Sequence, residues 1–151
     1  MKWLKWIGLA LLVALVGIQF ISTRSNQSKD VPSSDFILTY KVPDNIGHIL
    51  NISCYNCHSN NTEYPWYSRV QPVGFLLESH INKGKAELNF SEFGTYSVRK
   101  QKSKLKSMVN QIETDVMPLS SYTFIHRDAR ISQENKKTLV NYLNSIQDSL
   151  R

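Results

Sequence analysis

The chain has little from which to build catalysis. Among its 151 residues there are two cysteines, six glycines and five prolines. Two thiols cannot by themselves complete the four-ligand shell of a structural zinc. There is no glycine-rich phosphate loop, no motif pairing a nucleophile with a base, and no second cluster of metal-ligating residues. Internal repeats are absent. No alternating apolar run is long enough for a sheet strand, so the fold class expected is all-α. Acidic residues are the scarcer charge, 12 against 18 lysines and arginines, for a net charge of +6. That excess is too mild to argue for nucleic acid, and no RNA- or DNA-binding pattern accompanies it. Much of it lies in one run, Arg99, Lys100, Lys102, Lys104 and Lys106. Such a run reads first as a solvated helix face, and alternatively as a docking patch for an acidic partner or for anionic lipid headgroups.

What is present begins with an apolar N-terminus, residues 1–24. From Ile7 to Ile21 it is apolar but for Gln19, with Trp3 and Trp6 where an interfacial belt would lie. Trp3 to Ile21 would span roughly 28 Å as helix, which just matches a hydrocarbon core. The expectation is an N-terminal transmembrane helix. It would make the chain a single-pass protein of the cytoplasmic membrane, with Lys2 and Lys5 inside and the rest on the periplasmic side. A cleaved signal peptide is the alternative, but the stretch after the apolar run lacks an A-x-A-like site. Residues 25–40 form a polar linker, with Ser22 to Ser34 reading as a flexible stalk. Residues 41–149 are the expected folded domain.

The two cysteines stand three apart and a histidine follows: Cys54-Tyr55-Asn56-Cys57-His58. On a helix, Cys54 and His58 share one face at i and i+4, with Cys57 close beside them. Two thiols so placed can join the two vinyl groups of one haem while the imidazole reaches the iron, and this spacing is the c-type attachment signature. Three rivals are weaker. A disulfide here would close a tiny loop and stabilise little. A thioredoxin-like pair needs a βαβ setting. A zinc site would need remote histidines to complete it. The cofactor expected is one covalent haem c.

The rest of the domain reads as four helices. Asp44 opens the first, with Ile46, Ile49 and Leu50 on one face and the CxxCH motif at its end. Pro72 fits the first position of a second, expected to end at Gly84. A third covers about Tyr96 to Thr114, with a Leu105, Met108, Val109, Ile112 stripe. After a loop from Asp115 to Ile131, Ser132 caps a fourth bearing Leu139, Val140, Leu143 and Ile146.

Haem iron bound by one histidine stays five-coordinate or takes methionine or histidine opposite. Met117 leads the candidates, because Pro118 stiffens its loop and keeps it out of a helix; the plain alternative is a methionine filling a core gap. His80 is the second candidate, although the end of a helix suits a surface histidine equally well. Met108 falls on a core stripe. His126 sits beside Arg127 and Asp128 in a polar loop, and His48 lies too far back in the first helix to reach the same iron.

Three stretches, CYNCHSNNTEYPWYSRVQP, HINKGKAELNFSEF and MPLSSYTFIHRDARIS, run from Cys54 to the final helix. On these the chain resembles the bacterial haem-binding domain family of small exported c-type haem proteins. Its layout is similar to small monohaem cytochromes c, with CxxCH closing the first helix, a Met-Pro loop, then a terminal helix. The resemblance implies a small cytochrome c-like helical domain around covalent haem c, with His58 proximal and Met117 distal. By the same analogy Trp66, Tyr67 and Arg69 contact the haem propionates, and a carbonyl near Pro72 accepts the Nδ1–H of His58. Leu119 departs from the family, which would place a second proline there. The function expected is electron transfer with a redox protein partner, by a carrier rather than an enzyme. The alternatives are a small peroxidase or oxidase with a labile sixth ligand, or a sensor or subunit of a larger redox complex.

Overall fold

The structure, a computed structural model, describes residues 2–151. Helix α1 covers Lys2–Ile18. The short α2, Phe36–Thr39, starts where the Asp35 carboxylate accepts the Ile37 N–H at 2.9 Å. Helix α3, Asp44–Leu50, widens without a break into a π-helical turn over Asn51–Tyr55 and closes as α4, Asn56–His58. A 3-10 turn at Trp66–Arg69 leads to α5, Val73–Glu87. A second 3-10 stretch, Phe90–Thr95, precedes α6, Val98–Glu113, which Ser97 caps through the Lys100 N–H. Helix α7, Ser120–Ile125, lies within the stretch expected as loop. Helix α8, Gln133–Ser149, is capped by Ser132 through the Asn135 N–H.

Amphipathic spacing decides the packing. Ile46, Ile49 and Leu50 of α3 meet Leu105, Met108 and Ile112 of α6 and Leu139, Leu143 and Ile146 of α8 in one buried cluster. Each such side chain contributes about 1.5–3 kcal/mol by leaving water. An aromatic group closes one end: Phe36 sits edge-on to Phe93 at 5.0 Å and to Phe90 at 5.5 Å between ring centroids. The fold class is all-α, as expected from the absence of alternating runs; the described residues hold a single isolated bridge, Gln27 to Asn61, and no strand.

The expected transmembrane helix is not supported, and with it falls the single-pass placement in the membrane. No helix among the described residues is long and apolar enough to cross a membrane. The estimate failed at its C-terminal end. The helix stops at Ile18 after 17 residues, or about 26 Å, short of a core of about 30 Å. Gln19, counted as a tolerated interruption, is instead held by the domain. Its Nε2 donates to the Gln71 carbonyl at 3.1 Å, and its Oε1 accepts the Gln71 N–H at 2.9 Å.

The polar segment that follows is tied to the domain rather than hanging free. Ser28 N–H donates to the Asn60 carbonyl and Thr62 N–H to the Asn26 carbonyl. The Asn26 side chain donates to the Ser59 carbonyl and the Thr62 hydroxyl. Packing begins before residue 41, because Phe36 is fully buried.

Candidate functional site

The CxxCH motif occupies the end of the α3–α4 helix, where the chain turns extended at Ser59. Cys54 and Cys57 are both free and half-buried. They line a cavity of about 590 Å³ together with His58, His80 and Met117. Its walls are mostly apolar, with Leu76 and Leu77 from α5, Phe90, Ile112 from α6, and Leu119 and Ile125 around α7. Burial pushes the Cys54 thiol up to about 12, the neighbouring Cys57 adding to the effect. Burial also raises Cys57. Both thiols are therefore protonated at neutral pH.

His58 Nδ1 lies 3.1 Å from the Leu88 carbonyl oxygen. A carbonyl only accepts, so Nδ1 carries the proton and Nε2 keeps its lone pair for a metal. Burial lowers the His58 pKa, opposed by the carbonyls of Leu88 and Gly84, and the ring stays neutral in the form a metal requires. The acceptor is Leu88, at the far end of α5, and not a carbonyl near Pro72.

Gly84 explains how α5 comes so close. A Cβ there would stand 2.7 Å from the Cys57 carbonyl oxygen and 3.4 Å from Cys57 Cβ. The expected stop at Gly84 is overruled by this packing: α5 continues to Glu87 and delivers Leu88 to His58.

Met117 arrives on a built turn. After α6, Asp115 takes a left-handed φ of 57°. The Val116 and Met117 N–H groups then both donate to the Gln111 carbonyl, at 3.0 and 3.1 Å. The Asp115 carboxylate is paired with Lys136 of α8 at 2.6 Å, which fastens the turn to the terminal helix. His80, half-buried on α5, shares the same cavity. Met108 also touches it but is 8% exposed within the core cluster.

The remaining candidates divide. Tyr67 lines the cavity, and its hydroxyl is hydrogen-bonded to His126 Nε2. His126 also stacks on Tyr122, with ring centroids 4.3 Å apart, and stays off the cavity wall. Trp66, Arg69 and Pro72 are exposed and outside the lining, as is His48. Sequence reasoning missed Gly84, Leu88 and Tyr122, whose hydroxyl accepts from Asn56 Nδ2 at 2.9 Å. A signal for the wall existed in the helical spacing of Val73, Leu76, Leu77, His80, Gly84 and Leu88 along one side of α5. A larger hollow of about 810 Å³ lies across the motif helix, but its lining includes Asp35, Glu63 and Asp128 and neither cysteine nor His58.

Two free thiols and a metal-ready imidazole on the wall of an apolar cavity, inside a helical domain, define a protein built to hold a flat apolar cofactor carrying a metal. The cavity volume falls within the range of about 300–1,000 Å³ usual for cofactor sites, and the donor set suits iron porphyrin. A family described as a haem-binding domain matches residues 13–145. The chain belongs to that family, and its cofactor is haem. No curated protein and no solved structure matched the chain significantly.

Proposed function

We propose that the haem is haem c, one per chain, joined by thioether bonds to Cys54 and Cys57 and ligated by His58, and that the protein carries single electrons to or from a redox protein partner. The observation that carries this reading is the presence of both thiols and His58 on one apolar wall. Bound there, the haem supplies one-electron chemistry at its iron. The chain's own part is to exclude water, to hold the porphyrin, and to keep His58 oriented through Leu88. Met117 is assigned as the sixth ligand, because its turn is pinned to Gln111 and to α8 beside the cavity. A filled sixth position suits electron transfer, since the iron need not exchange ligands.

Protein made with a working haem-maturation system should keep its colour on a denaturing gel and in acidified organic solvent. Cys54→Ser combined with Cys57→Ser should lose it. The oxidised protein should show low-spin methionine–histidine absorption, lost in Met117→Ala and retained in His80→Ala. A second reading, a small peroxidase or oxidase, rests on the polar side chains of His80 and Tyr67 within the cavity lining. A high-spin native iron that binds hydrogen peroxide would favour that reading and overturn electron transfer.

A further inference from the structure

Haem brings two carboxylates into a cavity whose walls are overwhelmingly apolar. An anion cannot be left against such walls without a counter-charge or water. Among the lining residues the cationic side chains other than histidine are Lys83 of α5 and Lys104 of α6. Both stand at the rim. Lys83 is exposed, and the Lys104 side chain is 26% exposed with Nζ 3.7 Å from Glu87 Oε2. Glu87 is one turn beyond Lys83 on α5, so the three charged heads share a single stretch of rim. Gly84 faces Cys57, and Lys83, one residue earlier, is turned from it by roughly 100°.

The geometry points to Lys83 and Lys104 as the pair that receives the two haem propionates; this rests on the haem occupying the Cys54–Cys57–His58 cavity. Thioethers at the two vinyl groups leave the propionates unattached, and the rim where the two lysines stand is where these carboxylates can meet cationic side chains. Glu87, whose side chain is 83% exposed, loses little by returning to water when Lys104 turns to a propionate, since exposed ion pairs contribute about 0–1 kcal/mol. The side chains suggested by analogy are less suited. Trp66 and Arg69 are off the wall, and the Tyr67 hydroxyl is already engaged with His126.

The test is resonance Raman spectroscopy of the purified holoprotein, reading the propionate bending bands, together with its reduction potential. Lys83→Met and Lys104→Met should each shift those bands and lower the potential, because a cation near the haem disfavours the ferric state. Lys104→Arg should restore the bands, and Lys102→Met, on α6 but outside the cavity lining, should leave them in place. Unchanged bands in both single variants, with covalent haem retained, would overturn the assignment while leaving the haem c reading intact. An equal shift in Lys102→Met would overturn it too, since a general field would then explain the effect. A wild-type chain that takes up no haem would remove the reading beneath it as well.

Discussion

Gly84→Ala provides the sharpest measure of how tightly α5 is set against the CxxCH motif. In an open helix this change stabilises by about 0.5–1 kcal/mol, because alanine restricts the unfolded chain. Here the added methyl would lie 2.7 Å from the Cys57 carbonyl oxygen, a backbone atom that no rotamer change can move. Overpacking costs about 1–3 kcal/mol; a backbone clash this close belongs in the upper half of that range, and against the propensity gain it leaves a net loss of about 1–2 kcal/mol. For a chain of this size that corresponds to a melting temperature lower by about 2–8 °C. Gly47→Ala on α3 is the matched control, since its Cβ would meet only Ile37 Cδ1 at 3.8 Å. It should raise the melting temperature by a few degrees. Differential scanning calorimetry of the two variants beside the wild type decides the matter. If Gly84→Ala melts at or above the wild type, the close approach of α5 to Cys57 is wrong, and with it the account of why Leu88 reaches His58.

Two further outcomes follow from buried groups. With its thiol pushed up to about 12 from 9.0, Cys54 in the haem-free protein should present on the order of a thousandfold less thiolate than a free cysteine at pH 7–8; mass-resolved alkylation should show it reacting correspondingly slowly until denaturant is added. Asp35, 2% exposed, accepts from the Tyr55 hydroxyl at 3.0 Å and caps α2. Asp35→Ala should cost about 2–4 kcal/mol in denaturant unfolding, combining a lost cap with an orphaned buried hydroxyl, whereas Asp35→Asn keeps both acceptor roles. Burial raises the Asp35 pKa above 3.8 in the folded state, so the fold binds this proton more tightly than the unfolded chain. Its contribution is therefore least favourable at neutral pH and improves as pH falls through the raised value towards 3.8. Asp35→Asn should remove that acid-side component, and an unchanged pH profile would refute the assignment.

The sequence made some of this legible because the signals are local. CxxCH needs five consecutive residues, and the stripes on α6 and α8 repeat at helical spacing with serine caps ahead of them. Contacts between distant segments were not legible. Gly84 carries the local signature of a helix end, yet it is Cys57, far off in sequence, that requires a residue without a side chain. The family analogy implies a carbonyl near Pro72 as the His58 partner, whereas α5 folds back and brings Leu88. The apolar N-terminal run was over-counted because hydropathy cannot show that Gln19 will bond to Gln71. The donor chemistry of Trp66 and Arg69 is legible in the sequence, whereas the presence of Lys83 and Lys104 in the cavity lining, and the absence of those two, is not.

The π-helical turn at Asn51–Tyr55 has a consequence for how this stretch tolerates change. Its extra residue lets Ile46 and Leu50 face the core while Cys57 and His58 meet the cavity. At Asn51 and Ile52 length, more than identity, is therefore what must be kept, whereas Cys54 lines the cavity and Tyr55 is bonded to Asp35. Exchanging exposed Asn51 for a helix former leaves the phase intact, whereas deleting one residue would rotate everything beyond it by roughly 100° and carry Cys57 and His58 away from the cavity wall.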